Sequence, residues 1–416
     1  MQDNEKKPAL RFKGFTDPWE QRKLEEYLEV SGQKNFEGIY TKEDVLSVSG
    51  DFGIVNQIEF QGRSFAGASV ANYGVVETGD IVYTKSPLKS NPYGIIKANK
   101  GKNGIVSTLY AIYKPKQSAN PEFVQIYFEQ DARMNNYMHP LVNKGAKNDM
   151  KVSAENALKG QIVFPDIKEQ RTISEFFRNL DTLITLHQRK YEKLVNIKKS
   201  MLDKMFPKNG ASVPEIRFKG FTDPWEQRKL GDAFERVVRK NTNNESRLPL
   251  TISAQDGLVD QITYFNNRVA SRDVSNYYLV YNGEFAYNKS TSDGYPFGAV
   301  KRLDWYEKGV LSTLYIVFAL KHPEKDDSDF MTVFYDTDRW HRGVAERAAE
   351  GARNHGLLNI SADDFFDIDT TMPEDKVEQE KIGRLLKKLD TLITLHQRKL
   401  EKLQNIKKSC LEKMFV

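Results

Sequence analysis

The sequence predicts an α+β protein, of the mixed α/β kind, in which two strand-rich units related by internal duplication are separated by two long helices. Three observations support this fold class. The segment from Arg11 to Leu24 recurs without change at residues 217–230. Residues 166–206 contain neither glycine nor proline and carry a helical apolar period. Short β-type runs, such as Gly79–Tyr83, stand between turns rich in Gly, Asn and Ser.

A longer apolar run in each unit, over residues 105–113 and 310–318, predicts one strand. The residues that follow it, 122–138 in the first unit and 329–349 in the second, predict a helix with one apolar face.

A second repeat covers the predicted helices. Residues 180–190 return as residues 389–399, and the match continues to Phe206 and Phe415. Uniform drift after duplication would not leave these ends almost unchanged, so they indicate a shared mechanical task. The interiors between the repeats differ, which indicates two surfaces that bind different things. Those interiors share only short islands, among them Tyr83–Ser86 with Tyr287–Ser290 and Gly104–Tyr110 with Gly309–Tyr315.

The long helices are predicted to pair as an antiparallel coiled coil, because their apolar residues alternate at the spacings of a coiled-coil seam. Antiparallel pairing is favoured since it places the two globular units at opposite ends and gives the chain a pseudo-twofold axis. Parallel pairing would put the units side by side and stays open. The seam histidines are interpreted as polar residues that set the register, because no further metal ligand lies one turn away. The seam residues singled out are Leu180, Ile184, His187, Leu389, Ile393 and His396, with Lys198 and Lys407 in further gaps of the apolar pattern.

A proline followed by an acidic residue marks the start of each helix, at Pro165-Asp166 and at Pro373-Glu374. At 1.5 Å per residue each helix would be about 60 Å long. The predicted segments are a first globular domain over residues 1–165, a first coiled-coil helix over 166–207, a second globular domain over 208–373 and a second coiled-coil helix over 374–416.

Composition excludes several classes of protein. The chain of 416 residues has one cysteine, Cys410, so it has no intrachain disulfide and no zinc motif built on cysteine pairs. A reducing, cytoplasmic location is expected. No secretory signal is expected, because residues 1–7 have no apolar region. No membrane span is expected either, because the longest apolar stretch, Gly309–Leu320, is too short to cross a bilayer.

Motifs for catalysis are largely missing. The sequence has no Walker A motif and no Gly-x-Gly-x-x-Gly. The segment Asn91-Pro92-Tyr93 is only a partial match to the motif of amino-methyltransferases, since it has one proline. We therefore expect no catalytic residue, no metal site and no cofactor in this chain. An enzyme with a fused nuclease or methyltransferase activity stays an alternative, and it predicts activity from the purified chain alone.

Two pairs of polar loops are the candidate binding residues. Lysine, serine and backbone N–H groups can contact phosphates, whereas arginine and asparagine can contact base edges. A single polar loop is usually only a turn, but matching loops with different side chains in both halves favour a functional role. The first half supplies Tyr83, Lys85, Ser86, Asn91, Tyr93, Lys144, Lys147 and Asn148. The second half supplies Tyr287, Lys289, Ser290, Tyr295, Arg302, Arg353, Asn354 and His355.

The net charge of +5 hides an uneven distribution, because the helical segments are net basic and the second globular domain is net acidic. A charged coiled-coil surface is more often a solvated or protein-binding face than a DNA-binding one. If the globular domains bind DNA, they must use local patches and help from basic partners.

These features together resemble the specificity (S) subunit of Type I restriction–modification systems. The resemblance covers essentially the whole chain. Its markers are the two helix entries, at Pro165–Ile173 and Pro373–Ile382, and the Leu-Asp-x-x-Ile-x-x-His sequence within each helix. The Lys-Met-Phe helix ends and the Arg-Phe-x-x-Phe-x-x-x-Trp segments at Arg11 and Arg217 strengthen it.

The resemblance implies a mechanism. Residues 1–165 and 208–373 would be target-recognition domains, each reading one half of a bipartite, asymmetric site in double-stranded DNA. The helices would set the spacer between the half-sites and dock two methyltransferase (M) subunits. Those partners would methylate adenine N6 with S-adenosylmethionine, and restriction/translocase (R) subunits would use ATP and Mg²⁺. This chain would be a non-catalytic specificity subunit.

A third hypothesis is a coiled-coil scaffold that holds two protein-binding domains and has no role with DNA. Binding to duplex DNA separates it from the specificity subunit, because phosphate contacts make such binding sensitive to salt.

Overall fold

The structure is a computed structural model that describes residues 6–85, 91–144, 150–208, 210–254, 256–348 and 356–416. It divides into two compact units. The first unit extends to Gln188 and also contains Arg398–Val416, whereas the second is the continuous stretch Arg189–Gln397. Each unit therefore holds one globular domain together with half of each long helix.

The first globular domain is built mostly from short strands. Its strands are β1 (Glu20–Lys23), β2 (Leu28–Val30), β3 (Leu46–Ser49), β4 (Gly53–Asn56), β5 (Gly74–Val76), β6 (Ile81–Thr84), β7 (Ile96–Ala98), β8 (Gly104–Val106), β9 (Tyr110–Pro115), β10 (Asn143–Lys144), β11 (Met150–Lys151) and β12 (Gln161–Phe164). The helices are α1 (Gln57–Gln61), α2 (Pro121–Tyr127), α3 (Asp131–Met138) and the long α4 (Ile167–Lys204).

The second domain repeats this order. Its strands are β13 (Glu226–Lys229), β14 (Phe234–Arg236), β15 (Leu250–Ser253), β16 (Gly257–Asp260), β17 (Tyr278–Tyr281), β18 (Phe285–Asn288), β19 (Ala299–Arg302), β20 (Lys308–Leu311), β21 (Ile316–Leu320) and β22 (Asp369–Met372). Its helices are α5 (Leu230–Ala233), α6 (Gln261–Phe265), α7 (Ser328–Phe334), α8 (His341–Arg347), α9 (Ala362–Phe366) and the long α10 (Lys376–Lys413).

A four-stranded antiparallel sheet lies at the centre of each domain, in the order β2-β9-β6-β7 and β14-β21-β18-β19. Two-stranded pairs surround it, namely β1-β12, β3-β4, β5-β8 and β10-β11 in the first domain and β13-β22, β15-β16 and β17-β20 in the second. The strand β6 is buried along its length, so the sheet is covered on both faces. The predicted α+β class and the internal duplication are confirmed.

Two long strands predicted from the sequence are each two strands. The predicted runs 105–113 and 310–318 are interrupted by a turn, at Ser107 and at Ser312. The carbonyl of Ser107 accepts a hydrogen bond from the N–H of Tyr110 at 3.0 Å. The Ser107 hydroxyl accepts one from the N–H of Leu109 at 3.4 Å. A serine side chain that bonds the nearby backbone competes with strand pairing, which is why the apolar run does not stay one strand.

The predicted helices over 122–138 and 329–349 are also each broken into two. In the first domain the break follows Tyr127, whose carbonyl accepts from the Arg133 guanidinium at 2.9 Å. A downstream side chain thus satisfies a carbonyl at the helix end. The chain can then turn and bury the next helix against the same core.

The long helices begin close to the predicted proline–acid pairs. The side chain of Asp166 accepts from the backbone N–H groups of Lys168 and Glu169, both at 2.8 Å, and so caps α4. Asp375 caps α10 in the same way through Val377 at 2.7 Å.

The two helices run antiparallel. In the first unit Phe177 of α4 contacts Phe415, which follows α10, and Asp181 of α4 contacts Lys407 of α10. Residue numbers therefore rise along α4 as they fall along α10. In the second unit Lys198 of α4 pairs with Asp390 of α10. The predicted antiparallel orientation is confirmed. Among the predicted seam residues, Leu180 and Leu389 are buried, and the half-buried ones are Ile184, His187, Ile393 and His396.

The repeated Arg-Phe-x-x-Phe-x-x-x-Trp segment holds both helices in place. In the first unit Leu10 donates its backbone N–H to the carbonyl of Lys413 at 2.8 Å, near the end of α10. Arg11 forms two 2.7 Å hydrogen bonds to the buried carboxylate of Glu169, at the start of α4. Trp19 packs edge-on against Phe415, with ring centroids 6.1 Å apart.

The second unit repeats these contacts with its own residues. Ile216 donates to the carbonyl of Lys204 at 2.9 Å, and Arg217 pairs with Glu378. Trp225 packs against Phe206 at 5.9 Å. The near-identity of the repeated ends follows from this arrangement, because the same segment joins the start of one helix to the end of the other in both units.

Within the described ranges, no helix is both long enough and apolar enough to cross a membrane.

Candidate nucleic-acid interface

In each domain, one edge of the central sheet brings the start of the first predicted loop beside a neighbouring turn. Thr84, at the end of β6, pairs with Tyr110, at the start of β9. The loop that leaves β6 and the turn that precedes β9 therefore lie at the same edge. In the second domain Tyr287 pairs with Ile316, so the loop after β18 and the turn before β21 share the equivalent edge.

A hairpin lies beside this edge. In the second domain the hydroxyl groups of Tyr315 and Thr251, in the hairpin β15–β16, are 3.5 Å apart. In the first domain Tyr110 packs with Val48 and Ile54, of the hairpin β3–β4, against one apolar cluster, and burial raises the pKa of its phenol. The same tyrosine of the Ser-Thr-Leu-Tyr island thus joins the turn to the hairpin in both domains.

Tyr83 and Tyr287 belong to the core, and each shapes the loop that follows it. Both side chains are buried, and burial raises the pKa of each phenol well above its usual value. The Tyr83 hydroxyl donates to the carbonyl of Tyr93 at 2.8 Å, and the Tyr287 hydroxyl donates to that of Phe297 at the same distance. These tyrosines hold the loops, and their hydroxyl groups are directed inward.

A glycine next to each of these carbonyls lets the loop return close to the strand. Gly94 and Gly298 have positive φ angles of 78° and 75°. A Cβ atom would lie 1.9 Å from the carbonyl oxygen of Thr84 in the first case and 2.1 Å from that of Asn288 in the second. Only glycine fits such an approach, so the path of each loop is fixed at both ends.

Three further predicted loop residues of the first domain are half-buried, namely Lys85, Asn91 and Tyr93. The Asn91 amide donates to the carboxylate of Asp131 at the start of α3, and the ring of Tyr93 packs edge-on against His139 at 6.1 Å. Lys144 lies in strand β10. Ser86, Lys147 and Asn148 lie outside the described residues.

In the second domain, Ser290 and Tyr295 line one polar surface cavity of about 290 Å³. Asn288, Ser253 of the hairpin β15–β16 and Tyr264 of α6 complete much of its wall. Hydroxyl, amide and phenol groups therefore converge on a space open to solvent. The cavity is also lined by Asp293. Its carboxylate favours a hydrogen-bond donor, such as the amino group of a base edge, over a phosphate.

In this domain the segment that follows the second predicted loop contacts the first loop. The N–H of Thr291 donates to the carbonyl of Gly356 at 2.6 Å, and the N–H of Leu358 donates to that of Lys289 at 2.9 Å. The ammonium of Lys289 reaches the carbonyl of Ile360 at 3.4 Å. Arg353, Asn354 and His355 lie outside the described residues.

Arg302 is placed away from these loops. It ends β19, opposite Phe285 at the start of β18, and so lies at the other edge of the sheet. Its guanidinium contacts Asp304 at 2.6 Å and Asp329 at 2.8 Å. Burial alone would lower the pKa of Arg302, but the two carboxylates outweigh it and raise that pKa. The contacts of Arg302 are those of an ion pair that stabilises the domain.

The structure adds an element that the sequence prediction missed, a short helix carrying a half-exposed aromatic residue after each hairpin. Phe60 of α1 is 45% exposed and Tyr264 of α6 is 48% exposed. In both domains a glutamine in the first turn, Gln57 or Gln261, accepts a 2.6 Å hydrogen bond from the backbone of the following loop. The signal was present in the sequence as Gly-Ile-Val-Asn-Gln-Ile at 53–58 and Gly-Leu-Val-Asp-Gln-Ile at 257–262.

Further aromatic side chains surround these positions. Phe52, at the tip of its hairpin, lies 5.4 Å from Phe60 between ring centroids. The guanidinium of Arg63 lies 4.6 Å from the ring centroid of Phe65. In the second domain Tyr264 packs against Phe265 at 5.0 Å. Exposed aromatic groups and arginine can contact bases and phosphates, and here they differ between equivalent positions of the two domains.

Comparisons with known proteins bear on the fold. No protein-family model and no curated protein matches the sequence. A crystal structure of a Type-I restriction-modification system S subunit from M. genitalium matches with a TM-score of 0.59 and 12% sequence identity, over 99% of each chain. The HsdS subunit from Thermoanaerobacter tengcongensis matches with a TM-score of 0.44 and 14% identity, over 95% of this chain and 96% of that one.

A structure that concerns complex assembly and conformational transition of the type I R-M system also matches, with a TM-score of 0.42 and 14% identity over 95% of this chain and 97% of that one. The first of the three carries the structural argument, because it aligns along both chains at a TM-score above 0.5. The resemblance inferred from the helix entries and repeated segments is confirmed at the level of the fold. From end to end, this chain has the fold of a Type I restriction-modification S subunit.

Proposed function

We propose that this chain is the DNA sequence-recognition subunit of a Type I restriction–modification complex. One observation carries the proposal. In both domains the corresponding edge of the central sheet gathers a hairpin, a turn and a loop, and the side chains that the hairpin and the loop expose differ between the domains. Two domains that share one framework but expose different side chains can each bind a different half of one DNA site.

The two domains would read a bipartite, asymmetric site in double-stranded DNA. Phe60 of α1 and Tyr264 of α6 occupy equivalent positions. Near Phe60 the first domain has Arg63, which stacks on Phe65, whereas Tyr264 lines a polar cavity. Groups of different chemistry contact different base edges. The half-sites are therefore expected to differ in sequence.

The long helices would set the spacer and dock two methyltransferase (M) subunits. Leu186 of α4 and Leu395 of α10 occupy equivalent places, and each is 45% exposed although it is apolar. Leu183, one turn before Leu186 on α4, is equally exposed, and a cluster of exposed apolar side chains favours a protein partner. The helices are antiparallel and share nearly the same sequence, so each can offer the same surface to one of two copies.

Catalysis would belong to the partners. The M subunits would use S-adenosylmethionine, and the restriction/translocase (R) subunits would use ATP and Mg²⁺. This chain would act in the cytoplasm as a non-catalytic specificity subunit. Nuclease or methyltransferase activity of the purified chain alone, with these cofactors supplied, would contradict this assignment.

Mapping of methylated adenines in cells that carry this chain and its methyltransferase partner tests the proposal. A bipartite motif with a fixed spacer is expected. When residues 25–160 are exchanged for the interior of another recognition domain, one half of the motif should change and the other half should stay. A change in both halves would contradict the assignment of one domain to each half-site.

Lengthening the helices tests their role separately. One heptad inserted into each helix keeps the apolar period and should change the spacer without changing the bases of either half-site. An unchanged spacer would refute the role of the helices in setting it. If the assembled complex shows no salt-sensitive binding to duplex DNA, the chain is instead a scaffold for protein partners.

A further inference from the structure

The turn between β8 and β9 has the same residues and the same hydrogen bonds as the turn between β20 and β21. Each reads Ser-Thr-Leu-Tyr, at 107–110 and 312–315. In both turns the serine hydroxyl accepts from the leucine N–H at 3.4 Å. The serine carbonyl accepts from the tyrosine N–H at 3.0 Å in the first and 3.2 Å in the second. The exposed residues are thus presented in the same way by both domains.

The fold explains two of the four residues. The serine makes the turn, and the tyrosine joins it to the neighbouring hairpin. Leu109 and Leu314 do neither, since each is 64% exposed. A single exposed leucine is ordinary in a folded protein. What requires a reason is that the same exposed leucine occupies the same place in two interiors that otherwise share few residues.

The position of the turn points to the ligand. The turn precedes the strand that pairs with the end of β6 in the first domain and with the end of β18 in the second. It therefore lies at the edge from which the candidate recognition loops emerge. A ligand held by those loops would also meet the leucine.

The identity of the two turns points to the kind of contact. The loops and the aromatic positions differ between the domains, as base readers must when the half-sites differ. A residue that is the same in both domains fits a feature that every half-site offers. Duplex DNA offers its sugar–phosphate backbone and the floor of its minor groove to every such reader, and leucine is among the apolar side chains that enter that groove.

We propose that Leu109 and Leu314 form matching apolar contacts with the DNA groove that do not depend on base sequence. The inference rests on the proposed function, because it assigns residues to the same DNA. It divides the edge of each domain into a variable part, which reads bases, and a shared part, which seats the domain on the duplex.

The test compares Leu109→Ala, Leu314→Ala and the double variant in the full chain assembled with its methyltransferase partner. The matched control is Trp305→Ala. Trp305 is 69% exposed and follows β19 at the opposite edge of the second domain. The probes are two fluorescein-labelled duplexes, one carrying the methylation motif and one of random sequence. Fluorescence anisotropy gives the affinity for each, and size-exclusion chromatography shows whether the complex still assembles.

Each single leucine variant should weaken binding to both duplexes by about tenfold, as expected for the loss of most of a buried leucine contact. The double variant should lose more, the methylated motif should stay the same, and Trp305→Ala should bind as the unaltered complex does. Because the leucines are exposed, all variants should melt at the same temperature as the unaltered chain.

Three results would overturn the inference while leaving the proposed function in place. Unchanged affinity would show that the leucines do not touch DNA. A changed base in the methylated motif would make them base readers. Loss of the methyltransferase partner from the complex would assign the turn to a protein surface. If the unaltered complex itself fails to bind DNA, the proposed function falls, and this contact falls with it.

Discussion

The Nζ atom of Lys198, on α4, lies 2.7 Å from Oδ1 of Asp390, on α10. The same ammonium lies 2.9 Å from Asp336, which follows α7 in the second globular domain and also binds Lys301 at 3.0 Å. A lysine in a gap of the apolar seam thus ties both helices to the domain. In the first unit the equivalent residue, Lys407, contacts Asp181 and Glu129, with Lys97 behind the latter.

Replacing Lys198 by methionine should lower the free energy of unfolding of the second unit by about 2 kcal/mol, because Asp336 would keep only one cation in a largely buried site. Urea denaturation measures this. Lys199→Met is the control, since Lys199 is exposed on the same helix, and it should change stability very little. A gain in stability from Lys198→Met would show that the desolvation free energy of these charges exceeds the free energy of their attraction.

Acid should weaken the same network. Burial alone would raise the pKa of Asp336, but Lys301 and Lys198 outweigh it and lower that pKa below its usual 3.8. A carboxyl with a lowered pKa in the folded state stabilises the fold at neutral pH, and this stabilisation is lost as the pH falls through that pKa.

The stability difference between the unaltered chain and a variant with both lysines changed to methionine should therefore shrink in acid. Urea midpoints at about pH 6 and about pH 3 give the comparison. Burial also opposes the charged form of Lys198, but Asp336 and Asp390 raise its pKa above 10.5. The charge of Lys198 thus stays constant over this range, and a difference that grows in acid would contradict the role given to Asp336.

Substitutions at the ends of the two long helices should destabilise different units. Phe206 is 1% exposed and stacks on Phe330 at 5.6 Å, so Phe206→Ala should cost about 3–5 kcal/mol. Hydrogen exchange should show the loss in the second unit, whereas Phe415→Ala should open the first. Val195→Ala, at a 36% exposed position of α4, is the control. Loss of protection in the opposite unit would refute the antiparallel arrangement of the helices.

Gly298→Ala and Gly283→Ala separate backbone strain from a steric clash. Both glycines have positive φ, 75° and 86°. A Cβ atom at Gly283 meets nothing within 4 Å, whereas one at Gly298 would lie 2.1 Å from the carbonyl oxygen of Asn288. Gly283→Ala should cost about 1 kcal/mol of stability and leave recognition intact. Gly298→Ala should displace the loop and impair methylation at the half-site read by the second domain, as methylation mapping would show. Equal effects of the two variants would contradict a specific role for the loop.

The features predicted correctly are those that depend on neighbouring residues or on direct sequence repeats. The helix starts at Asp166 and near Asp375 follow from capping chemistry, and the duplication follows from direct identity. The breaks at Ser107 and after Tyr127 depend on which partner a carbonyl or hydroxyl finds once the chain has folded. A periodicity of apolar residues does not contain that information.

The candidate site shows the same division. The sequence located the loops, and the structure places the start of the first loop at one sheet edge in each domain. It did not reveal that Tyr83 and Tyr287 turn inward to hold those loops, because their partners lie ten residues away. Nor did it reveal that Arg302 ends its strand at the other edge, where acidic residues surround it.

The way the first unit is assembled bears on the order of events on the ribosome. Its core includes Cys410, Met414 and Phe415 from the end of α10, whereas the second unit is one continuous stretch. Domains of a nascent chain usually fold in the order of synthesis. Here the core of the domain made first lacks these three side chains until residues 398–416 have left the exit tunnel, so the later domain can mature before it. The earlier domain is therefore open to chaperones and proteases while the second unit is synthesised.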